Sequence, residues 1–186
     1  MIKSIIITGP PAVGKTTVAK GLAKEFGLTY LSGGDILKEL AKELGFQTQG
    51  DDWWDTPEGM KFLNQRADNS KFDIKVDEKL KELFMKGNVV ITSYTLPWLV
   101  DDGIKIWLAG SHKNSANRMK ARDNVPLEDA LEIVKHRYDE NKKLYKKLYN
   151  FDFGENLSFF DKIIDTDELD ANQVLEIAKK TVSELL

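Results

Sequence analysis

Apolar residues fall along this chain in two alternating rhythms: short unbroken runs, and stretches where they recur every three or four positions. The first run, Ile5 to Ile7, reads as a buried strand, and behind it Val18, Leu22 and Phe26 form a helical stripe that Gly27 ends. Leu28 to Ser32 is the second strand. Ile36, Leu37, Leu40, Ala41 and Leu44 then mark a helix that Gly45 stops. Residues 46 to 59 have no steady period and read as a loop. Thr56-Pro57-Glu58 follows as a helix start, opening a short helix through Phe62, Leu63 and Arg66. Val76, Leu80 and Leu83 predict another helix as far as Gly87.

Asn88 to Ser93, Gly103 to Leu108 and Lys162 to Asp165 supply three more strands. Two charged helices, Lys113 to Arg122 and Pro126 toward Tyr149, separate the last two of them. A final helix is announced by the capping-box spacing of Asp170 and Gln173, with Val174, Ile177, Val182 and Leu185 as its apolar side. Strand and helix alternating in this way predict an α/β fold, a parallel sheet of five strands with helices on both faces. Ligands of such sheets sit at the carboxyl ends of the strands, which places Gly9, Ser32, Ser93 and Gly110 around one crevice.

Between the first strand and the first helix lies Gly9-Pro10-Pro11-Ala12-Val13-Gly14-Lys15-Thr16-Thr17, which fits the phosphate-binding pattern G-x-x-x-x-G-K-S/T. The flanking strand and helix give the pattern its meaning. Backbone N–H groups of the loop wrap phosphate oxygens, and the positive end of the helix points at them. Lys15 neutralises charge on the outer phosphates, and the Thr16 hydroxyl is placed to ligate magnesium.

Composition narrows the class. The 186 residues, 41% hydrophobic and 31% charged, suit one α/β domain with a sizeable core. A net charge of −3 argues against a general nucleic-acid binder, and the lack of cysteine excludes disulfides and thiolate metal sites. No apolar run approaches a membrane span, and the first strand begins at the second residue, so the expectation is a cytoplasmic protein without a membrane partner.

The charge is unevenly spread. From His112 to Tyr149 there are ten basic and six acidic residues, leaving the rest of the chain strongly acidic. Within that stretch Arg118 and Arg122 share a helix face, and Arg137 approaches the same point if the two helices fold back on each other. Such arginines stabilise a phosphoryl group in transfer; the pattern fits equally a solvated helical hairpin with surface arginines. The same lysines also suit weak RNA contact, the rival reading from another functional class, although a patch of four lysines without aromatics interleaved in a groove is a weak sign of it. Asp35 is placed to hold magnesium or to orient an acceptor, and equally to favour its helix dipole. Tyr94 and Trp98, after the third strand, are candidates for lining an acceptor pocket, whereas Trp53 and Trp54 fit packing better than base stacking. No carboxylate stands in Val89 to Tyr94 to orient magnesium.

Taken with Leu-Ser-Gly-Gly-Asp-Ile at 31 to 36, Asn-Val-Val-Ile at 88 to 91, Ile-Lys-Ile-Trp-Leu at 104 to 108 and Leu-Ser-Phe-Phe-Asp-Lys-Ile-Ile-Asp-Thr-Asp at 157 to 167, these features resemble the archaeal-type cytidylate kinases. That family lies within the nucleoside monophosphate kinase group. The resemblance implies a single P-loop kinase domain with its core at 1–34, 87–110 and 151–186. It also implies a monophosphate-binding insertion at 35–86 and a lid at 111–150. The implied reaction is transfer from ATP to CMP or dCMP with magnesium, by a monomer. Lys15, Arg118, Arg122 and Arg137 would be catalytic, and Ser32, Gly33, Asp35, Lys38, Tyr94 and Trp98 would face the acceptor. Adenylate kinases are close relatives, but usually carry Gly-Lys-Gly-Thr where this chain has Gly-Lys-Thr-Thr. Two positions depart from the family pattern: Lys38 replaces a frequent arginine, and Thr92-Ser93-Tyr94 replaces Glu-Gly-Arg. Monophosphate binding then leans on Lys38, on backbone N–H groups, or on Arg66.

Overall fold

The structure is a computed structural model in which residues 3–48, 61–62 and 71–186 are described. Its centre is β1 (Ile5–Thr8), a run of β-branched residues buried on both faces. Side chains of a strand alternate between the two faces of its sheet. Ile5 and Ile7 therefore enter one apolar layer and Ile6 the other. Four more strands join it in parallel: β2 (Thr29–Ser32), β3 (Val89–Thr92), β4 (Ile104–Ala109) and β5 (Lys162–Asp165), in the order β2-β3-β1-β4-β5.

The first layer is formed by α1 (Lys15–Phe26) and α7 (Ala171–Leu185), whose Val18, Leu22, Val174 and Val182 pack on Ile5, Ile7 and Ile106. The opposite face is covered by α2 (Gly33–Glu43), α3 (Lys71–Lys86) and the short α4 (Leu96–Leu99). Their Ile36, Leu80, Phe84 and Leu96 close over Ile6 and Ile91. The chain therefore leaves β1 toward one face and β3 toward the other. That divergence opens a crevice at the carboxyl ends of the two adjacent strands, where the P-loop begins.

Two long helices, α5 (His112–Asp123) and α6 (Leu127–Tyr149), fold back on each other as a hairpin. Ala116, Met119, Ala130 and Val134 form its seam, and Ala12 of the P-loop packs against it. Asn124 and Asn150 end the two helices in the left-handed conformation. The expected five-stranded parallel sheet with helices on both faces is what the chain forms. One detail differs: Leu185, expected on the apolar side of α7, is 36% exposed, because burial along that helix ends at Val182. The expected helix start at Thr56 to Glu58, and Leu63 and Arg66, lie outside the described residues. So do Trp53 and Trp54. No described helix is long and apolar enough to cross a membrane.

The capping box of α7 is complete: Gln173 N–H donates to Asp170 Oδ1, and Asp170 N–H donates to Gln173 Oε1, both at 2.9 Å. Asp170→Ala removes the cap of a helix that forms half of one core layer. It is expected to lower stability by about 1 kcal/mol in urea unfolding without changing the slope of the transition.

Candidate active site

Close approach builds the P-loop. Gly9 leaves β1 at φ 141°, and a Cβ there would lie 2.2 Å from the Leu108 carbonyl oxygen of β4. Only glycine permits this contact. Ala12 and Gly14 also take positive φ, so the loop curls over the start of α1 while Val13 anchors it in the core. Lys15, the first residue of α1, folds back over the loop, its Nζ donating to the carbonyls of Gly9 at 3.0 Å and Pro10 at 2.6 Å.

Beyond the lysine is a cavity of about 600 Å³, lined by the 12–18 segment, by Tyr94, and by Arg118, Arg122 and Arg137 of the hairpin. The three arginines singled out in the sequence thus share one space with Lys15 and Thr16. The Lys15 Nζ lies 4.6 Å from the centre of the Tyr94 ring. Burial holds the Lys15 ammonium below its ordinary value; Tyr94 offsets part of that fall and Arg137 adds to it. Burial also pushes the Tyr94 phenol upward, but the neighbouring positive groups of Lys15 and Arg137 together outweigh that effect and leave it below the usual tyrosine value. Two cations meeting at one hydroxyl make an arrangement suited to an anion.

Each arginine has its own partner. Arg118 donates through both terminal nitrogens to Thr166, at its hydroxyl (3.0 Å) and its carbonyl, just past β5. Arg122 is paired with its neighbour Asp123 and is 64% exposed. Arg137 is exposed and turned to Tyr94. The root of the hairpin is stapled by Asp167, which accepts from the Ser111 N–H at 2.8 Å and from Asn114 Nδ2 at 3.1 Å. The Ser111 backbone N–H holds the Asp167 carboxyl below its ordinary range against the opposing effect of burial, and the Asn114 side chain adds to the fall.

The acceptor candidates are less gathered. Ser32 caps α2: its Oγ accepts from the Asp35 N–H at 3.0 Å and donates to Asp35 Oδ2 at 2.6 Å. Asp35 is therefore committed to the start of its own helix and does not line the cavity that holds Thr16. Gly33 opens the same helix and Lys38 lies half-buried one turn further on. Trp98 is elsewhere. It stacks on Phe151 at 4.5 Å with a 3° tilt and packs on Trp107, Phe153 and Phe160. The cavity it borders, about 710 Å³ and shared with Lys105, Glu155 and Phe159, is a different one. Its ring is held there by its aromatic neighbours. Tyr94, expected on the acceptor side, shares the cavity of the P-loop lysine.

The sequence reading missed Asp73 and Asp77, both buried on α3. A signal existed: 73, 77, 80 and 84 recur at helical spacing, so the two aspartates share the apolar face of Leu80 and Phe84. Among the described residues, no group of three or more histidine, aspartate or glutamate side chains is gathered to hold a metal.

A glycine loop between strand and helix, a folded-back lysine and three convergent arginines define a P-loop phosphotransferase of the nucleoside monophosphate kinase type. Comparison with known proteins agrees. The model of the cytidylate kinase-like family matches residues 4–168, and the chain belongs to that family. It is 32% identical to the cytidylate kinase of Methanocaldococcus jannaschii over 97% of this chain and 98% of the relative. It is 34% identical to that of Pyrobaculum islandicum over 94% and 89%. Among solved structures, an uncharacterized protein from Eubacterium ventriosum superposes with a TM-score of 0.67 at 17% identity, covering 99% of both chains, which shows a shared fold.

Two outcomes follow from this geometry. Gly9→Ala places a methyl group against the Leu108 carbonyl, so the variant is expected to lose binding of inorganic triphosphate in calorimetry and to unfold at lower denaturant. The depressed Asp167 carboxyl contributes its tie above the unfolded-state value of about 3.9, and the tie fades as pH falls through the lower folded-state value. An NMR titration is expected to place its midpoint below that of an ordinary aspartate, and Asn114→Ala to move it back up.

Proposed function

We propose that the protein transfers the γ-phosphoryl group of ATP to a nucleoside monophosphate, CMP or dCMP, by in-line displacement without a covalent enzyme intermediate. The observation that carries this reading is the convergence of Lys15, Arg118, Arg122 and Arg137 on the cavity bordered by the P-loop. Four cations around one loop of N–H donors suit the charge of a phosphoryl group in flight. The names of the relatives, cytidylate kinases in every case cited, favour the pyrimidine acceptor.

Chemically, little is asked of the protein beyond placement and charge. The backbone N–H groups of the loop beyond Pro10 and Pro11 hold the β- and γ-phosphates, and Lys15 exchanges the Gly9 and Pro10 carbonyls for phosphate oxygens. Arg122 leaves Asp123 and Arg137 leaves Tyr94 to meet the transferring group. The hairpin, with its flanks from 111 to 150, acts as a lid that excludes water, the competing acceptor. The segment 35–86 holds the monophosphate, with Ser32, Gly33, Asp35 and Lys38 at its entrance and Tyr94 between acceptor and donor. Core, insertion and lid form one domain, acting as a monomer in the cytoplasm.

Magnesium fits as a cofactor through Thr16, a hydroxyl-bearing residue that lines the cavity at the first turn of α1. Magnesium takes few protein ligands and completes its shell with phosphate oxygens and water, so a lone hydroxyl suffices without a carboxylate cage. Bound there, it neutralises charge on the β- and γ-phosphates. Asp35, bonded to Ser32, is the weaker candidate for contributing through water.

A coupled assay of ADP formation against CMP, dCMP, UMP, AMP and shikimate tests the reading, with CMP and dCMP expected to give the highest kcat/KM. Lys15→Ala and Arg137→Ala are each expected to lower kcat by about 10³-fold or more. Turnover of CMP untouched by Lys15→Ala would sink the proposal. Chelation of magnesium is expected to abolish turnover, with recovery on adding the ion back.

A further inference from the structure

Behind the phosphate cavity lies a polar cluster that the reaction scheme leaves unused. Asp77 of α3 is 7% exposed, on a helix face that it shares with Asp73, Val76, Leu80 and Phe84. Both its oxygens accept hydroxyl protons: Oδ1 from Thr95, and Oδ2 from Tyr149 at 2.7 Å. With the Thr95 proton so committed, the Ser93 hydroxyl must donate to Thr95 Oγ1, 3.2 Å away. Ser93 Oγ in turn accepts the N–H groups of Thr95 and Leu96 at 3.2 and 3.1 Å. The turn from Ser93 to Leu96, which carries Tyr94, is thereby fastened to α3.

The second arm runs through rings. Tyr149, the last residue of α6, stacks on Phe151 (6.3 Å, 7°), Phe151 on Tyr145 (5.9 Å, 23°) and Tyr145 on Tyr94 (6.3 Å, 29°). Tyr94 is thus held from both sides, by its own backbone neighbour and by the end of the hairpin, and both holds lead to Asp77. Burying a carboxyl group is unfavourable, and an apolar side chain would pack this face as well. What an apolar residue would not do is fix three segments in one register by directional bonds.

We propose that Asp77 is a positioning residue that sets the Tyr94 phenol against Lys15 and Arg137, and so couples α3 on the acceptor side to the hairpin. The proposal rests on the phosphotransfer reading above. A displacement of α3 when acceptor binds moves the Ser93–Leu96 turn and Tyr149 together. Tyr94 then shifts relative to the two cations it engages. Asp77 touches neither substrate in this scheme and acts on Tyr94 through Thr95 and Tyr149.

The test compares wild type, Asp77→Asn, Tyr149→Phe and the double variant, with melting temperature recorded beside the kinetics. Asp77→Asn keeps the volume but turns an NH₂ toward one of the two hydroxyls. The proposal expects kcat with CMP and ATP to fall about tenfold or more in each single variant, with KM for ATP changed by a smaller factor of about threefold. The double variant is expected to be no worse than the poorer single one, because both changes cut the same link. Losses that multiply, or kcat per folded molecule unchanged while stability falls, would overturn it. If wild type phosphorylates no monophosphate, the functional reading fails by itself, and affinity for ATP then decides. A change of about threefold or more in both single variants upholds the link from Asp77 to the phosphate cavity; unchanged affinity overturns it. Should Asp77→Asn fail to fold, Tyr149→Phe alone carries the same readouts.

Discussion

Like charges must be held close together before the anion that reconciles them arrives, and much of this molecule is an answer to that constraint. Lys15 rests on two carbonyls and a phenol, Arg118 on a threonine, Arg122 on the next carboxylate, and Arg137 on the phenol that Lys15 also uses. Among the described residues each arginine of the cavity is met by a neighbouring group, and only Arg122 forms an ion pair with a carboxylate. The cations are thus satisfied well enough for the fold to be stable, yet by groups that a phosphate oxygen outbids.

The sheet makes that arrangement stable. β1 is buried on both faces, and its end is pressed so closely on β4 that only a glycine fits there. The two apolar layers fix the positions of α1 and of the turn after β3, so Lys15 and Tyr94 arrive on either side of one crevice. The hairpin adds its arginines from above through a seam of its own, rooted at Asp167. Rigid below and separately packed above, the site combines a fixed half with a half that is attached at its root.

How much of this was legible in the sequence depended on whether the signal was local. The strands, the P-loop and the capping box of α7 are written in adjacent residues, and the structure forms each of them. The shared cavity of Arg118, Arg122 and Arg137 could be anticipated from helical spacing and a fold-back. Trp98 and Tyr94 were harder, because four residues of sequence separation say nothing about which ring faces which cavity. Trp98 goes to the aromatic cluster because Phe151, Phe153 and Phe160, some fifty residues later, are waiting for it. Asp77 left a trace, a carboxylate on an apolar stripe. Its meaning, however, lies in Thr95 and Tyr149, partners that only the tertiary structure supplies.

The pairing of Arg122 with its exposed neighbour Asp123 has a consequence for how the site responds to ionic strength. Trading that carboxylate for a phosphate exchanges one screened ion pair for another, so dissolved salt weakens both sides of the exchange to a similar degree. Lys15 trades differently, giving up carbonyl dipoles that salt hardly touches for a phosphate charge that it screens. In the proposed exchange, therefore, the loop lysine is the salt-sensitive contact and the arginine at the rim of the hairpin is the buffered one.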